Sequence, residues 1–398
     1  MSGGVDYTSV QVTPDLSPQP DCAHPGARCL RLLVTDLGHP AVPAIAEVLR
    51  KACRRAHLTG WSTRHPLPPP PPGITWIVDG RPYDSNAVDT LDNAASDGGC
   101  DTILPLTPAA LRTVTSAEMR ERAEDGDLHL VCPPDPMISL ARSRWQLARH
   151  LRGLNLPVVP TVRVSRGGDL LAAATDLGYP DTDLTVMSDD VFDDTVWTVR
   201  ANAGFTDPRR WLPLAAVTTL LDHDPHPAPG TGPAVVRPMP GAEAHPDDPH
   251  AGRCTVDLVA DAGRIIAVLA RRTSPPYTGS TTDNQGIPGV AGTDTVVTLP
   301  APARELVTAV VAGLRWTGPA TVGLAGVGVY GSAPVITEVL PWLDPAAYLG
   351  AYAGADVLTA AVRHARGEPV PADPVWEPTP VTAHRYHLVQ HWAHLERS

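Results

Sequence analysis

Apolar positions first gather in "CLRLLVTDLGHP", where Leu30–Thr35 is a continuous hydrophobic run of buried-strand length that stops at a turn. Ala41–Ala52 then repeats its apolar residues at helical spacing and ends in Lys/Arg, which suits a helix C-terminus. "ITWIVDG" (74–80), "CDTILPL" (100–106) and "LHLVCP" (128–133) are further short apolar strands with helical patterns between them. Strands alternating with helices predict a parallel sheet covered on both faces. "PLPPPPPG" (66–73) interrupts this region as a stiff polyproline connector. "MISLARSRWQLARHLRG" (137–153) reads as one amphipathic helix, with Leu140, Trp145, Leu147 and Leu151 sharing its buried side.

Periodicity weakens from there to about residue 230, where the clearest elements are the helix in "DLLAAATDLGY" and the strand in "TVWTVRAN". From Ala234 the pattern sharpens into "AVVRPM", "CTVDLVAD-AG-RIIAVLARR", a helix at Ala303–Leu314, "ATVGLAGVGVYGSAPVITEV" and a helix around Ala355–Arg366. Two hairpins, turning at Ala262-Gly263 and Gly331-Ser332, predict an antiparallel sheet backed by helices. The fold class is therefore α/β, with α+β character in the C-terminal part. Its predicted units are a flexible tail (1–26), an α/β domain (27–136), a linker helix with a small lobe (137–233), a large lobe (234–367) and a C-terminal tail (368–398).

Composition narrows the partners. The 398 residues suffice for two or three domains, and 43% hydrophobic content supports sizeable cores. A net charge of −12 argues against a nucleic-acid or anionic-membrane binder, because either needs a basic surface. No apolar run spans a membrane, the N-terminus has no secretory pattern, and the six cysteines are scattered, so a reduced cytoplasmic protein is expected. Lys51 is the only lysine, so chemistry that elsewhere uses lysine must use arginine here. "TDLGHPA" after the first strand has one glycine and no dinucleotide-binding fingerprint.

The order of units, closing on the strand, acid and proline of "VITEVLPWLD", resembles the ATP-grasp superfamily, in particular its carbamoyl-phosphate-synthase-like and amino-acid-ligase members. The resemblance covers roughly residues 27–367 and implies an ATP-grasp fold behind a Rossmann-like pre-ATP-grasp domain. "SRWQLARHLRGLNLPVVPTV" fits the family's helix and following "P-x-P-x-T" frame, with Ser143-Arg144 where Asp-Lys is usual. Arg144 would then bind ATP phosphate, the alternative being a solvated helix arginine. "WTVRANAGF" offers Arg200 as a second phosphate cation, and "VVRPMPGAE" matches the adenine hinge at Gly241 and Glu243, with Glu243 on the ribose hydroxyls and Arg237 in place of the hinge glutamate. The basic pair Arg271 and Arg272 would stabilise charge on an acyl phosphate.

The family's magnesium ions are held by an acid or amide on one strand and by Glu-x-Asn-Pro-Arg on the next. Here Glu338 and Pro341 remain, while Leu340 and Trp342 replace the amide and the arginine, and Leu324 stands where the first-strand ligand is expected. The resemblance thus implies ATP and Mg²⁺ as cofactors, with Glu338 as metal ligand in an incomplete site. The partners it implies are ATP with a small carboxylate or amino acid, and a protein partner or a second copy. One functional expectation is ATP-dependent carboxylate–amine ligation through an acyl phosphate. The alternatives are a catalytically degenerate relative serving as partner or regulatory subunit of an active ligase, or a binding module that uses no nucleotide.

Overall fold

Three β-sheets organise the chain in the computed structural model, which describes residues 30–36, 39, 41–53, 56–62, 74–78, 86–126, 128–165, 169–179, 181–193, 196–199, 234–238, 253–274, 292–328, 333–370, 373–385 and 395–397. The first sheet is wholly parallel, in the order β3-β2-β1-β4-β5. Its strands are β1 (Arg31–Val34), β2 (His57–Ser62), β3 (Ile74–Val78), β4 (Thr102–Leu104) and β5 (His129–Leu130). Helices α1 (Val42–Ala52), α2 (Ala87–Asp97), α3 (Pro108–Val114) and α4 (Ala117–Asp125) connect them. Helix α1 buries Val42, Ile45, Ala46, Val48 and Leu49, the stripe that its spacing predicts.

β2 was not among the predicted strands. "HLTGWS" mixes polar and apolar residues, yet parallel pairing with both β1 and β3 makes it an inner strand, with Leu58 and Trp61 buried. The helix predicted over 137–153 is two helices, α5 (Asp135–Arg142) and α6 (Arg144–Gly153). Ser143 breaks them apart: its backbone is extended, and its hydroxyl caps α6 by accepting from Gln146 N at 3.1 Å.

The second sheet is small and antiparallel, in the order β6-β9-β7-β8, built from β6 (Val162–Val164), β7 (Leu184–Ser188), β8 (Val196–Val199) and β9 (Ala234–Pro238). Helix α7 (Leu170–Asp176) covers one face through Leu170, Ala173 and Ala174. β9 pairs with β6 and β7, so "AVVRPM" belongs to the small lobe and not to the large one that the sequence pattern predicts from 234.

The third sheet has seven antiparallel strands, in the order β14-β13-β10-β11-β12-β15-β16. They are β10 (Cys254–Asp261), β11 (Arg264–Ser274), β12 (Gly292–Val296), β13 (Gly318–Ala325), β14 (Val335–Leu340), β15 (Val381–Arg385) and β16 (Leu395–Arg397). The predicted β10–β11 hairpin turns at Ala262 and Gly263, whose positive φ values of 47° and 88° are those a two-residue turn requires. Helix α8 (Ala301–Leu314) packs Leu306, Val307, Val310, Val311 and Leu314 on one face of the sheet, each worth about 1.5–3 kcal/mol of apolar burial. The other face packs on α1, α9 (Leu349–Ala353) and α10 (Val357–Ala365). The C-terminal segment, predicted to wrap the surface, instead adds β15 and β16 to this sheet. No helix among the described residues is long and apolar enough to cross a membrane.

Candidate functional site

The small and large sheets face each other across a cleft of about 410 Å³, within the range of small-molecule sites. β7 and β9 supply one wall through Thr185, Met187, Arg237 and Pro238; β10, β11, β13 and β14 supply the other through Cys254, Thr255, Thr273, Gly323, Leu324, Thr337 and Glu338. Arg253, just before β10, and Val159 complete it. Strand alternation explains the small-lobe side: Leu184, Val186, Ala234 and Val236 point into the α7 core, which leaves Thr185, Met187 and Arg237 for the cleft.

Glu338, the predicted metal ligand, lines this cleft. The residue paired with it across β13 is Gly323, because the register shifts between Gly323 and Leu324. A Cβ at Gly323 would sit 2.5 Å from Thr337 Oγ1, 2.9 Å from Glu338 Cγ and 3.4 Å from its Oε1, so the glutamate occupies the space the glycine vacates. Leu324 pairs with Ile336 and offers no oxygen. Leu340 and Trp342 pack with Leu111, Ile138 and Phe192, and the Trp342 and Phe192 rings stack with centroids 6.2 Å apart. Among the described residues no group of three His, Cys, Asp or Glu could hold a metal ion. One carboxylate facing a glycine and two apolar side chains does not fit a two-magnesium cradle, since magnesium requires oxygen ligands in near-octahedral array.

Arg237, which stands in place of the hinge glutamate in the family resemblance, is a cation of the cleft wall. It is 7% exposed, lines the cleft, and donates through Nη1 to the Thr337 carbonyl and through Nη2 to Met187 Sδ. Burial lowers its pKa, the nearby Glu338 carboxylate opposes that, and Arg144 adds to the lowering. The signal was present in "AVVRPM": an arginine inside an otherwise apolar strand must find a polar task or partner. Arg253 is similarly lowered by burial. Burial also pushes the Cys254 thiol up to about 12, which keeps it protonated near neutrality.

The remaining predicted residues fall elsewhere. Arg144 opens α6, but its Nη1 donates to the Ser188 and Asp190 carbonyls, both at 2.7 Å. The Asp189 carboxylate sits at the same helix N-terminus, accepting from Trp145 N at 2.9 Å and from Ser143 Oγ. The N-terminus of α6 is therefore already served by an internal anion. Arg144 still borders a small cavity of about 20 Å³ that it shares with Arg237 and Glu338.

Arg271 is fully buried. Its Nε lies 2.8 Å from Asp257, Nη1 3.3 Å from Asp294 and Nη2 3.2 Å from Asp344. Burial works against its charge, but Asp257, Asp344 and Asp294 outweigh burial and raise its pKa. Burial, together with Asp344, pushes the Asp257 carboxyl up, against the pull of Arg271. Thr321 Oγ1 and the Asp344 backbone N–H complete the shell of Asp257 at 2.7 and 3.1 Å. Arg272, next along the strand, points to the opposite face and is not among the described residues lining the cleft. Arg200 and Glu243 lie outside the described residues.

No protein-family model and no curated protein sequence matches the chain. Its architecture does match solved structures. The N5-carboxyaminoimidazole synthetase from Staphylococcus aureus superposes with a TM-score of 0.56 at 13% identity, over 89% of this chain and 81% of that one. The biotin carboxylase domain of the 2-oxoglutarate carboxylase from Hydrogenobacter thermophilus, determined with MgADP, ADP and bicarbonate, gives 0.59 at 12% identity, over 89% and 73%. The L-amino acid ligase from Bacillus licheniformis gives 0.55 at 15% identity, over 90% and 80%. All three are ATP-grasp enzymes, and a parallel α/β domain followed by two antiparallel sheets around a cleft is their shared plan: this chain has the ATP-grasp fold.

Proposed function

We propose that the chain binds ATP in the cleft between its two antiparallel sheets and is an ATP-dependent ligase-like protein. In the reaction class this reading implies, the γ-phosphoryl group passes to a substrate carboxylate, an amine displaces phosphate from the resulting acyl phosphate, and ADP and phosphate leave. The observation that carries the reading is the cleft itself: about 410 Å³ between the two sheets, with the buried Arg237 on one wall and Arg253 at its edge to meet phosphate oxygens. The related folds bind ADP with magnesium or join amino acids, as their names state.

The packing of Trp342 favours a second reading. An arginine position of the family motif has become part of an apolar cluster with Phe192, so the chain would serve as nucleotide-binding partner of an active ligase. Calorimetric titration with ATP, followed by a phosphate-release assay with mixed amino acids, separates the two. Binding with steady release supports ligation, and binding without release supports the partner role. No binding of ATP at millimolar concentration contradicts both.

A further inference from the structure

We infer that the phosphate subsite of this cleft is organised by a resident guanidinium, Arg237, in place of a metal ion, so that nucleotide binds without magnesium. The inference rests on the nucleotide reading and adds to it how the site treats charge. Three observations carry it.

First, Glu338 is the one carboxylate among the described residues lining the cleft: Gly323 faces it, Leu324 and Leu340 are close by, and the other side-chain oxygens there are neutral threonine hydroxyls such as Thr337 Oγ1. One carboxylate in such a setting repels a polyphosphate unless a cation accompanies it. Second, a cation is already there. Arg237 lines both the main cleft and the small cavity that Glu338 also borders, and the Glu338 carboxylate favours the charged form of the guanidinium. Third, Arg237 is held rigidly and keeps donor capacity. Its Nη atoms are fixed by Thr337 O from the large lobe and Met187 Sδ from the small one, while its buried Nε–H donates to no described protein atom. A buried N–H of a charged group without a partner is costly unless something accepts it. The Nη2 partner is a thioether, a weak acceptor that a phosphate oxygen entering the cleft can replace, and arginine binds phosphate without a metal.

The test is ATP titration of the full chain by calorimetry, once with excess EDTA and once with saturating magnesium chloride, for the native protein and for Arg237→Met, Arg237→Lys and Glu338→Gln. The expected native affinities agree within about threefold between the two buffers, whereas a metal-bridged site shows a much larger gap. Arg237→Met should weaken binding about 10- to 100-fold in both, as loss of a charged hydrogen bond predicts, and Arg237→Lys should recover part of it. Glu338→Gln should tighten binding in EDTA, by removing a like charge. Melting curves of each variant confirm that it is folded; should Arg237→Met not fold, Arg237→Lys and Glu338→Gln carry the test. Binding that requires magnesium, or that Glu338→Gln abolishes only in magnesium, overturns the inference and leaves the nucleotide reading standing. Absence of ATP binding in both buffers overturns the nucleotide reading and the inference with it.

Discussion

Two arginines on facing elements of the large lobe and the small lobe make an instructive pair. Arg271 and Arg237 are both buried, both on strands and both close to carboxylates. Arg271 is surrounded by Asp257, Asp294 and Asp344, with Thr321 and Thr273 completing the hydrogen bonds of the acids. Arg237 has a carbonyl, a thioether and one nearby glutamate, and it borders open volume. The difference is the surroundings. An arginine enclosed by three carboxylates belongs to the scaffold, whereas one that borders a cleft is available to a ligand.

Asp257, Thr321 and Arg271 sit deep on the large sheet, and Thr255, Gly323 and Thr273 continue the same face into the cleft, as the strand registers require. The ion cluster therefore adjoins the floor of the site along the same face of the sheet.

The comparison breaks most sharply by substitution. Arg271→Met leaves Asp257 buried without its counter-charge and should cost about 3–5 kcal/mol of folding stability by urea denaturation, with little change in ATP affinity of the remaining folded protein. Arg237→Met should reverse the ranking, with about 1–2 kcal/mol lost and affinity reduced. If Arg237→Met is the more destabilising of the two, the assignment of scaffold and site is the wrong way round.

A milder probe restores the family residue. Trp342→Arg places a charge among Leu111, Ile138 and Phe192 and should cost about 2–3 kcal/mol without creating magnesium dependence. Recovered magnesium dependence would mean that the apolar packing is incidental. The smallest effect is expected at Gly323→Ala, whose new Cβ meets Thr337 Oγ1 and the Glu338 side chain; about 1–2 kcal/mol should be lost. Combining it with Thr337→Ala should recover part of that loss, and strict additivity would show that the two residues are not in contact.

Much of this fold was legible along the chain because its long-range pairings have strong local signals. The alternation after Leu30 gave the parallel sheet, and the β10–β11 hairpin declared itself through Ala262-Gly263. What escaped was set by tertiary context. "HLTGWS" becomes an inner strand only because β1 and β3 flank it, and "DTDLTVMSDD" hides β7 behind its acidic ends. A one-residue interruption by the Ser143 cap divided a helix whose apolar stripe runs through the break.

The site was less legible than the fold. Glu338 was found because an acid beside a strand-ending proline is unusual, and it does line the cleft. The burial of Arg271 is not legible in the sequence, because a basic pair on a strand sends its two members to opposite faces and periodicity alone does not say which face is sealed. Asp257 in "CTVDLVAD" carries the clue: an acid buried amid valines and leucines demands a cation, and Arg271 lies diagonally across the ladder, paired with Thr255 on the same face.

The central claim is that ligand enters between β9 and β14 while the Arg271 cluster stands behind as scaffold. Hydrogen–deuterium exchange of the full chain, with and without saturating ATP in EDTA, tests it most directly. Added protection concentrated in 234–238 and 335–340, with exchange at 257–271 unchanged, is the predicted result. Protection confined to the N-terminal α/β sheet, or no protection on either lobe, would contradict it.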